Sequence, residues 1–179
     1  TFTYSEKSEE KRAEFANKLA SIPEDKRVYI DESGVDKCLI REHGRALRGV
    51  KVEDTKRGKK FQRTNVVAAR MGKKIVAPFC YSENMTAAYF VEWFRKNLVK
   101  SIPKGSTAIM DNASFHPKKK LQNLARRHGI KLLFLPPYSP DFNPIEKTWA
   151  NMKRALVDIL PNEISLENAI YNYLELRSI

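Results

Sequence analysis

Two short apolar runs of this chain each end in an aspartate, and a later amphipathic segment has a glutamate in its first turn. Residues 27–31 end at Asp31, and residues 107–111 end at Asp111. An apolar run that closes on a polar side chain is typical of a buried strand whose last residue reaches solvent. Glu146 lies in the first turn of the helix predicted over residues 144–159, about 100° from its apolar stripe. The pattern predicts that two strands and one helix bring three carboxylates to one edge of a sheet.

Three carboxylates form a purely oxygen-based set of ligands, which hard divalent cations such as Mg²⁺ prefer. Two such ions about 3.5–4 Å apart can activate an attacking oxygen and stabilise a leaving oxygen at a phosphate. We therefore predict that Asp31, Asp111 and Glu146 are catalytic residues. The same three side chains are predicted to bind two Mg²⁺ (or Mn²⁺) ions.

Each of these residues also has a structural interpretation. An aspartate after a strand often forms a turn with its own backbone, as Asp31 and Asp111 could. Asn143 followed by Glu146 fits a capping box at a helix start. His116 could contact a phosphate or a water in the site, or cap the helix that follows it. Singly, the aspartates are more often structural, but all three acids in one basic chain favour a site.

The positive charge is large and clustered. The chain has 33 Lys and Arg against 21 Asp and Glu, a net charge of +12. Residues 117–131 contain no acid, and residues 41–63 are almost as basic. Clusters of this kind indicate a polyanionic partner, although a solvated helix face is the simpler alternative. The predicted DNA-contacting residues are Arg45, Arg48, Lys59, Lys60, His116, Lys118, Lys119, Lys120, Arg126, Arg127 and Lys153.

The order of elements indicates an α/β fold with a mixed five-stranded sheet flanked by helices. The predicted elements are a charged helix (5–21), a strand ending in a turn at Ser33–Gly34, a hairpin (64–79), a helix (86–99), a strand to 111, a helix (117–128), a strand (131–135) and two helices (144–159 and 165–177). We expect residues 1–25 to be a helical connector or arm and residues 26–179 to be one catalytic domain. No apolar run approaches the roughly 20 residues of a membrane span. There is no glycine-rich phosphate loop, which argues against ATP use.

Three motifs resemble those of a known family. They are Tyr-Ile-Asp-Glu-Ser-Gly at 29–34, Met-Asp-Asn-Ala-Ser-Phe-His at 110–116, and Leu-Pro-Pro-Tyr-Ser-Pro-Asp-Phe-Asn-Pro-Ile-Glu at 135–146. Together they resemble the catalytic domain of transposases in the mariner superfamily, and most closely its bacterial insertion-sequence branch. Members carry an Asp, Asp, Asp/Glu triad with about 34 residues between the last two acids. Here residues 112–145, which are 34 residues, separate Asp111 from Glu146.

The resemblance implies a ribonuclease H-like fold, Mg²⁺ or Mn²⁺, hydrolytic cleavage at transposon ends, and strand transfer by the freed 3′-hydroxyl. It implies double-stranded DNA as the partner, both transposon ends and target. We further expect a homodimer in the active complex, a cytoplasmic, nucleoid-associated location in a bacterium, no membrane, and helix-turn-helix domains upstream of this chain. A ribonuclease H-type or junction nuclease remains an alternative, as does a non-catalytic nucleic-acid-binding remnant.

Overall fold

The computed structural model describes residues 8–36, 63–113, 116–160 and 165–175. The strands in these ranges are β1 (Arg27–Asp36), β2 (Arg63–Met71), β3 (Lys74–Tyr81), β4 (Thr107–Met110) and β5 (Lys131–Phe134). The α-helices are α1 (Glu9–Ala20), α2 (Ala87–Trp93), α3 (Val99–Ser101), α4 (Lys118–Arg127), α5 (Ile145–Ile159) and α6 (Leu166–Glu175). A π-helical turn (Phe94–Leu98) joins α2 to α3. Within the described ranges, no helix is both long enough and apolar enough to cross a membrane.

The strands form one mixed sheet in the order β3-β2-β1-β4-β5. β1 pairs antiparallel with β2, and β2 pairs antiparallel with β3. β4 lies parallel to both β1 and β5. This arrangement confirms the predicted α/β class and the five-stranded mixed sheet.

Helices cover both faces of the sheet, and alternate residues of the strands divide the core in two. On one face Val67 and Ala69 of β2 pack with Phe90 of α2 and Leu121 of α4. On the other face Val66 and Ala68 pack with the apolar stripes of α5 and α6, which include Ile145, Trp149, Met152, Leu156 and Ile170. The two-residue alternation of a strand accounts for this division. The α5 face is the one that carries the site described below.

The predicted turn at Ser33–Gly34 is wrong. β1 continues to Asp36, with Ser33 opposite Val66 and Gly34 opposite Asn65 of β2. Gly34 lies against the Arg63 side chain, which occupies the space that a Cβ would need. Val35, directly after it, is fully buried. Ladder hydrogen bonds and the burial of Val35 therefore outweigh the local turn preference of a Ser-Gly pair.

The other predicted elements occur with shifted ends. α1 begins at Glu9 because the Ser8 hydroxyl accepts a hydrogen bond from the Lys11 backbone N–H. The helix predicted over 86–99 is capped by Thr86 and continues to Ser101 through the π-helical turn. The hairpin turn lies at Gly72, whose φ of 60° favours glycine.

Side chains close the free edge of the sheet at β3. The Cys80 backbone N–H donates to the Tyr171 hydroxyl at 3.1 Å, and the Trp93 indole N–H donates to the Ala77 carbonyl at 3.0 Å. Pro78, between them, has no N–H to offer. Trp93 is 3% exposed and therefore also belongs to the core. β3 is thereby protected against pairing with a further strand.

Ala77 provides a test of the β3 geometry. It lies where β3 has one more residue than β2 opposite it, and its φ is 53°. Glycine at this position removes left-handed backbone strain worth roughly 1–2 kcal/mol. It also adds conformational entropy to the unfolded chain, which costs about 0.5–1 kcal/mol. We expect Ala77→Gly to raise the free energy of unfolding by about 0.5 kcal/mol in urea titrations. The control Ala69→Gly, in the regular part of β2, should lower it, and equal destabilisation by both would contradict the bulge.

Candidate active site

The register between β1 and β4 brings the two aspartates together. Tyr29 pairs with Ile109 in the parallel ladder. Asp31 and Asp111 each follow two residues later, so they lie at the same level and on the same face of the sheet. β4 ends at Met110, whereas β1 runs on to Asp36. Asp31 therefore lies within a strand, not at the strand end that its apolar run suggested.

Helix α5 brings Glu146 to the same place. Its Trp149 donates an indole N–H to Asp31 Oδ2 at 3.0 Å, which ties the helix to β1. Arg70 of β2 donates to the Pro144 carbonyl at 2.7 Å, directly before the helix start. Asp31, Asp111 and Glu146 line one open cleft of about 410 Å³. The structure thus assembles the three predicted acids.

The capping box is absent at the start of α5. The N-cap residue is Pro144, and no side chain caps the helix. The Asn143 backbone N–H, which Glu146 would accept in a capping box, donates to the Pro140 carbonyl at 2.8 Å. The exposed Glu146 side chain therefore remains available to the cleft.

Asp31 is a half-buried carboxyl group. Burial raises its pKa to about 7, and the negative charges of Glu146 and Asp111 add to this effect. Hydrogen bonds from the Glu32 backbone and the Trp149 indole act in the opposite direction. Near neutral pH the group is consequently divided between its neutral and ionised forms.

The surroundings of Asp111 lower its pKa, in contrast to those of Asp31. Its Oδ1 lies 3.1 Å from His116 Nδ1, and the other ring nitrogen of His116 lies 3.8 Å from Glu32 Oε1. The Tyr81 hydroxyl donates to Glu32 Oε2 at 3.3 Å. The interaction with His116 lowers the pKa of Asp111. Burial lowers the pKa of His116, but the two carboxylates outweigh burial and raise it to about 9.

His116 therefore has a different place in the site from the one predicted. Its ring is packed against Phe90 with the centroids 4.3 Å apart, and the residue is 7% exposed. Such burial does not favour a direct contact with DNA. The pairing with Asp111 indicates instead that His116 holds that carboxylate. Sequence reasoning missed Glu32, Tyr81 and Trp149, whose partners lie far away in the chain.

The other predicted DNA-contacting residues fall into two groups. Arg45, Arg48, Lys59 and Lys60 lie outside the described residues. Lys118, Lys119, Lys120, Arg126 and Arg127 are exposed on α4, and Lys153 is half-buried on α5. α4 follows the loop after β4, so its three lysines lie at the cleft end of the sheet and its two arginines at the far end. Their contact with DNA remains a prediction.

The oxygen atoms of the three acids suit a divalent cation, although their present arrangement does not enclose one. All three acids offer oxygen, and half-buried Asp31 has no cation among the groups that shift its pKa. In the part of the chain that the structure describes, no three His, Cys, Asp or Glu residues converge into a group that could hold a metal ion. The carboxylates therefore share a cleft without forming a closed cage.

One family profile and two known proteins match this chain. The profile of the family described as "DDE superfamily endonuclease" matches residues 26–166. The Tc1 transposase of Caenorhabditis elegans is 30% identical over 115 residues, which are 64% of this chain and 39% of that protein. An uncharacterized Sinorhizobium fredii protein, y4pE/y4sA, is 34% identical over 93 residues, which are 49% of this chain and 61% of that protein. The chain thus spans less than two thirds of either relative.

Solved structures share the fold at low sequence identity. The Mos1 transposase paired-end complex with left transposon end matches with a TM-score of 0.65 at 14% identity, over 99% of this chain and 62% of that one. The catalytic domain of the Mos1 mariner transposase matches with a TM-score of 0.57 at 13% identity, over 98% of this chain and 90% of that one. These matches confirm the predicted ribonuclease H-like fold.

The contrasting environments of the two aspartates predict opposite effects on stability. An unfolded aspartate titrates near 3.8, whereas folded Asp31 titrates near 7. The folded state therefore binds more protons between these values and loses stability as pH rises through them. In metal-free buffer at pH 8, we expect Asp31→Asn to raise the free energy of unfolding by about 2 kcal/mol.

Asp111→Asn is the matched comparison. The lowered pKa of Asp111 contributes stability above its unfolded value, and that contribution is lost on substitution. Thermal melts in EDTA at pH 8 should therefore show Asp31→Asn melting higher, and Asp111→Asn lower, than the wild-type chain. Destabilisation by Asp31→Asn would show that Asp31 is not an uncompensated carboxyl group.

Proposed function

Because this chain belongs to the DDE superfamily of endonucleases, we propose that it is a transposase catalytic domain that cleaves DNA at transposon ends and joins the freed 3′-hydroxyl to target DNA. The observation that carries the proposal is the cleft shared by Asp31, Asp111 and Glu146. The similarity to the Tc1 and Mos1 transposases supports DNA as the substrate class. A ribonuclease H-type or junction nuclease would use the same cleft, but no match favours it.

The proposed cofactor is Mg²⁺ or Mn²⁺, as two ions. The Mos1 paired-end complex has been solved with Mn and with Mg. Asp31 and Asp111 would share the ions, and Glu146 would hold the second. When bound, the cations supply charge that activates the attacking oxygen and stabilises the leaving oxygen of the phosphodiester.

The residues around the acids hold them in place before DNA arrives. The Trp149 indole fixes one oxygen of Asp31, and His116 lies at ion-pair distance from one oxygen of Asp111. Arg70 fixes the chain directly before α5 and therefore the first turn that carries Glu146. Ligands held by neighbouring side chains need little reorganisation at the moment of reaction. The oxygens of each aspartate that these contacts leave free are the ones available to a cation.

The surface around the cleft supports a nucleic-acid substrate. The cluster of Lys118, Lys119 and Lys120 begins α4 on the cleft side of the sheet. Contacts from lysines to phosphates carry no sequence information, so they suit backbone tracking rather than recognition of a repeat. We propose that recognition of the terminal repeats belongs to other domains and that the active complex is a homodimer on double-stranded DNA.

The catalytic proposal predicts the behaviour of three isosteric variants. Asp31→Asn, Asp111→Asn and Glu146→Gln keep side-chain size and remove charge. Each should reduce Mg²⁺- or Mn²⁺-dependent cleavage of a terminal-repeat duplex by about 10³-fold or more, without weakening DNA binding. Glu175→Gln, an exposed acid at the end of α6, is the control and should cleave normally. Near-normal cleavage by any of the three would remove that residue from the site, and preference for an RNA–DNA hybrid would support the nuclease alternative.

The DNA-binding proposal predicts a change in salt dependence. Replacing Lys118, Lys119 and Lys120 with Ala should lower the slope of log affinity against log salt by roughly 0.9 for each phosphate that the variant no longer neutralises. The effect should be similar on all duplex sequences. Lys73, Lys74 and Lys104 lie at the opposite end of the sheet, so their triple Ala variant removes the same charge away from the cleft. Equal slopes for both triple variants would mean that the α4 lysines are only a solvated helix face.

A further inference from the structure

One wall of the cleft is a loop that has little regular structure of its own. Residues 135–140 and Asn143 line the cleft opposite the two aspartates. The loop joins β5 to α5 and contains one short 3₁₀ turn (Pro140–Phe142). Its beginning is fixed by β5 and its end by Arg70. The middle of the loop needs another support if the wall is to keep its shape.

Helix α1 supplies a polar support at that point. The Arg12 guanidinium donates two hydrogen bonds to the Asp141 carboxylate, at 3.0 and 2.7 Å. The same side chain donates to the Ser139 hydroxyl at 2.8 Å, and Ser139 in turn donates to the Pro137 carbonyl at 3.1 Å. Arg12 thus contacts the residue before the 3₁₀ turn and the middle residue of the turn, and its side chain is only 15% exposed. A bidentate ion pair of this kind restricts geometry more than a single contact does.

An apolar contact lies beside the polar one. The Phe15 ring is 5.1 Å from the Phe142 ring, and the Arg12 guanidinium lies 4.7 Å over that same ring. Phe15 is 4% exposed and packs with Ile109 and Leu135. Ile109 is two residues before Asp111, and Leu135 opens the loop. α1 therefore contacts the strand that leads to one acid and the loop that leads to another.

We propose that α1 is a clamp that holds the cleft wall in its working position, with Arg12 and Phe15 as positioning residues that do not touch the substrate. Bonds within the loop, such as Phe142 N–H to Ser139 O and Asn143 N–H to Pro140 O, close one short turn, and the bonds from Arg12 join that turn to α1. The segment that precedes the sheet thereby becomes part of the support of the active site. The consequence for cleavage rests on the proposed function, whereas the clamp itself does not.

Hydrogen exchange on the metal-free protein tests the clamp without any activity. In Arg12→Ala, the amides of Phe142, Asn143 and Glu146 should exchange about tenfold faster, because hydrogen bonds to charged groups are lost. Amides of β1 and β4 should not change. Asp141→Ala, which alters only the exposed partner, should give the same local increase, and the double variant should exceed neither single variant.

Lys18→Ala is the matched control, since it breaks an α1 ion pair with Glu14 that does not touch the loop. It should leave exchange in the loop unchanged. Unchanged exchange in both Arg12→Ala and Asp141→Ala would overturn the clamp, as would an equal increase across the whole sheet.

Cleavage kinetics then test the consequence. With saturating Mg²⁺ and a range of DNA concentrations, Arg12→Ala and Asp141→Ala should lower kcat about tenfold with little change in KM for DNA, and Arg12→Lys should restore part of the loss. A rise in KM with unchanged kcat would overturn the positioning role. A wild-type chain that cleaves no terminal-repeat DNA overturns the proposed function instead, and the exchange experiment still decides the clamp.

Discussion

The parallel pairing of β1 with β4 is the constraint on which the cleft depends. Tyr29 opposite Ile109 sets Asp31 and Asp111 at one level of the sheet, on the face that α5 covers. A slip of one residue in this pairing would turn one of the two carboxylates to the opposite face. The register is held by fully buried neighbours such as Val28 and Ala108, whose side chains face the other half of the core. Packing on one face of the sheet thus fixes the positions of the two aspartates on the other face.

The two aspartates are treated differently by their surroundings, although they lie side by side. Asp31 is half-buried, and its hydrogen bonds only partly offset the cost of desolvation to the ionised form. Asp111 is balanced by His116, which is itself balanced by Glu32 and, through it, connected to Tyr81. In the metal-free protein the ionised form of Asp31 is therefore destabilised, whereas the charge of Asp111 is already compensated. Uncompensated charge of this kind is common where function is favoured over stability.

Support for the cleft comes from residues that do not themselves line it. α5 donates Trp149 to Asp31, β2 donates Arg70 to the start of α5, and α1 holds the loop between β5 and α5. The transposases that share this fold differ from the chain at most positions, with identities near 14% for the solved structures. A fold shared at such low identity does not fix the local contacts that support a site.

Local pattern was enough to predict most of the elements and to single out the three acids that the structure brings into one cleft. The apolar runs before Asp31 and Asp111, the glycine hairpin turn and the helical spacing around Glu146 are all readable within a few residues, and each corresponds to an observed element. The continuation of β1 past Gly34 was not readable, because it depends on Arg63 and Val66 of another strand. The capping box was suggested by spacing alone and was replaced by a backbone bond within the preceding turn.

The contacts that define the state of the site were decided only by tertiary structure. Trp149 is 118 residues from Asp31, and Arg12 is 129 residues from Asp141. His116 is near Asp111 in sequence, but Glu32 and Phe90, which set its burial and charge, come from other elements. Periodicity and turn preference act over a few residues, whereas burial and pairing of charge depend on which elements meet in space. The sequence by itself determined which acids could form the site, and the packing of the sheet and its helices determined which of them is compensated, which is not, and what holds the wall beside them.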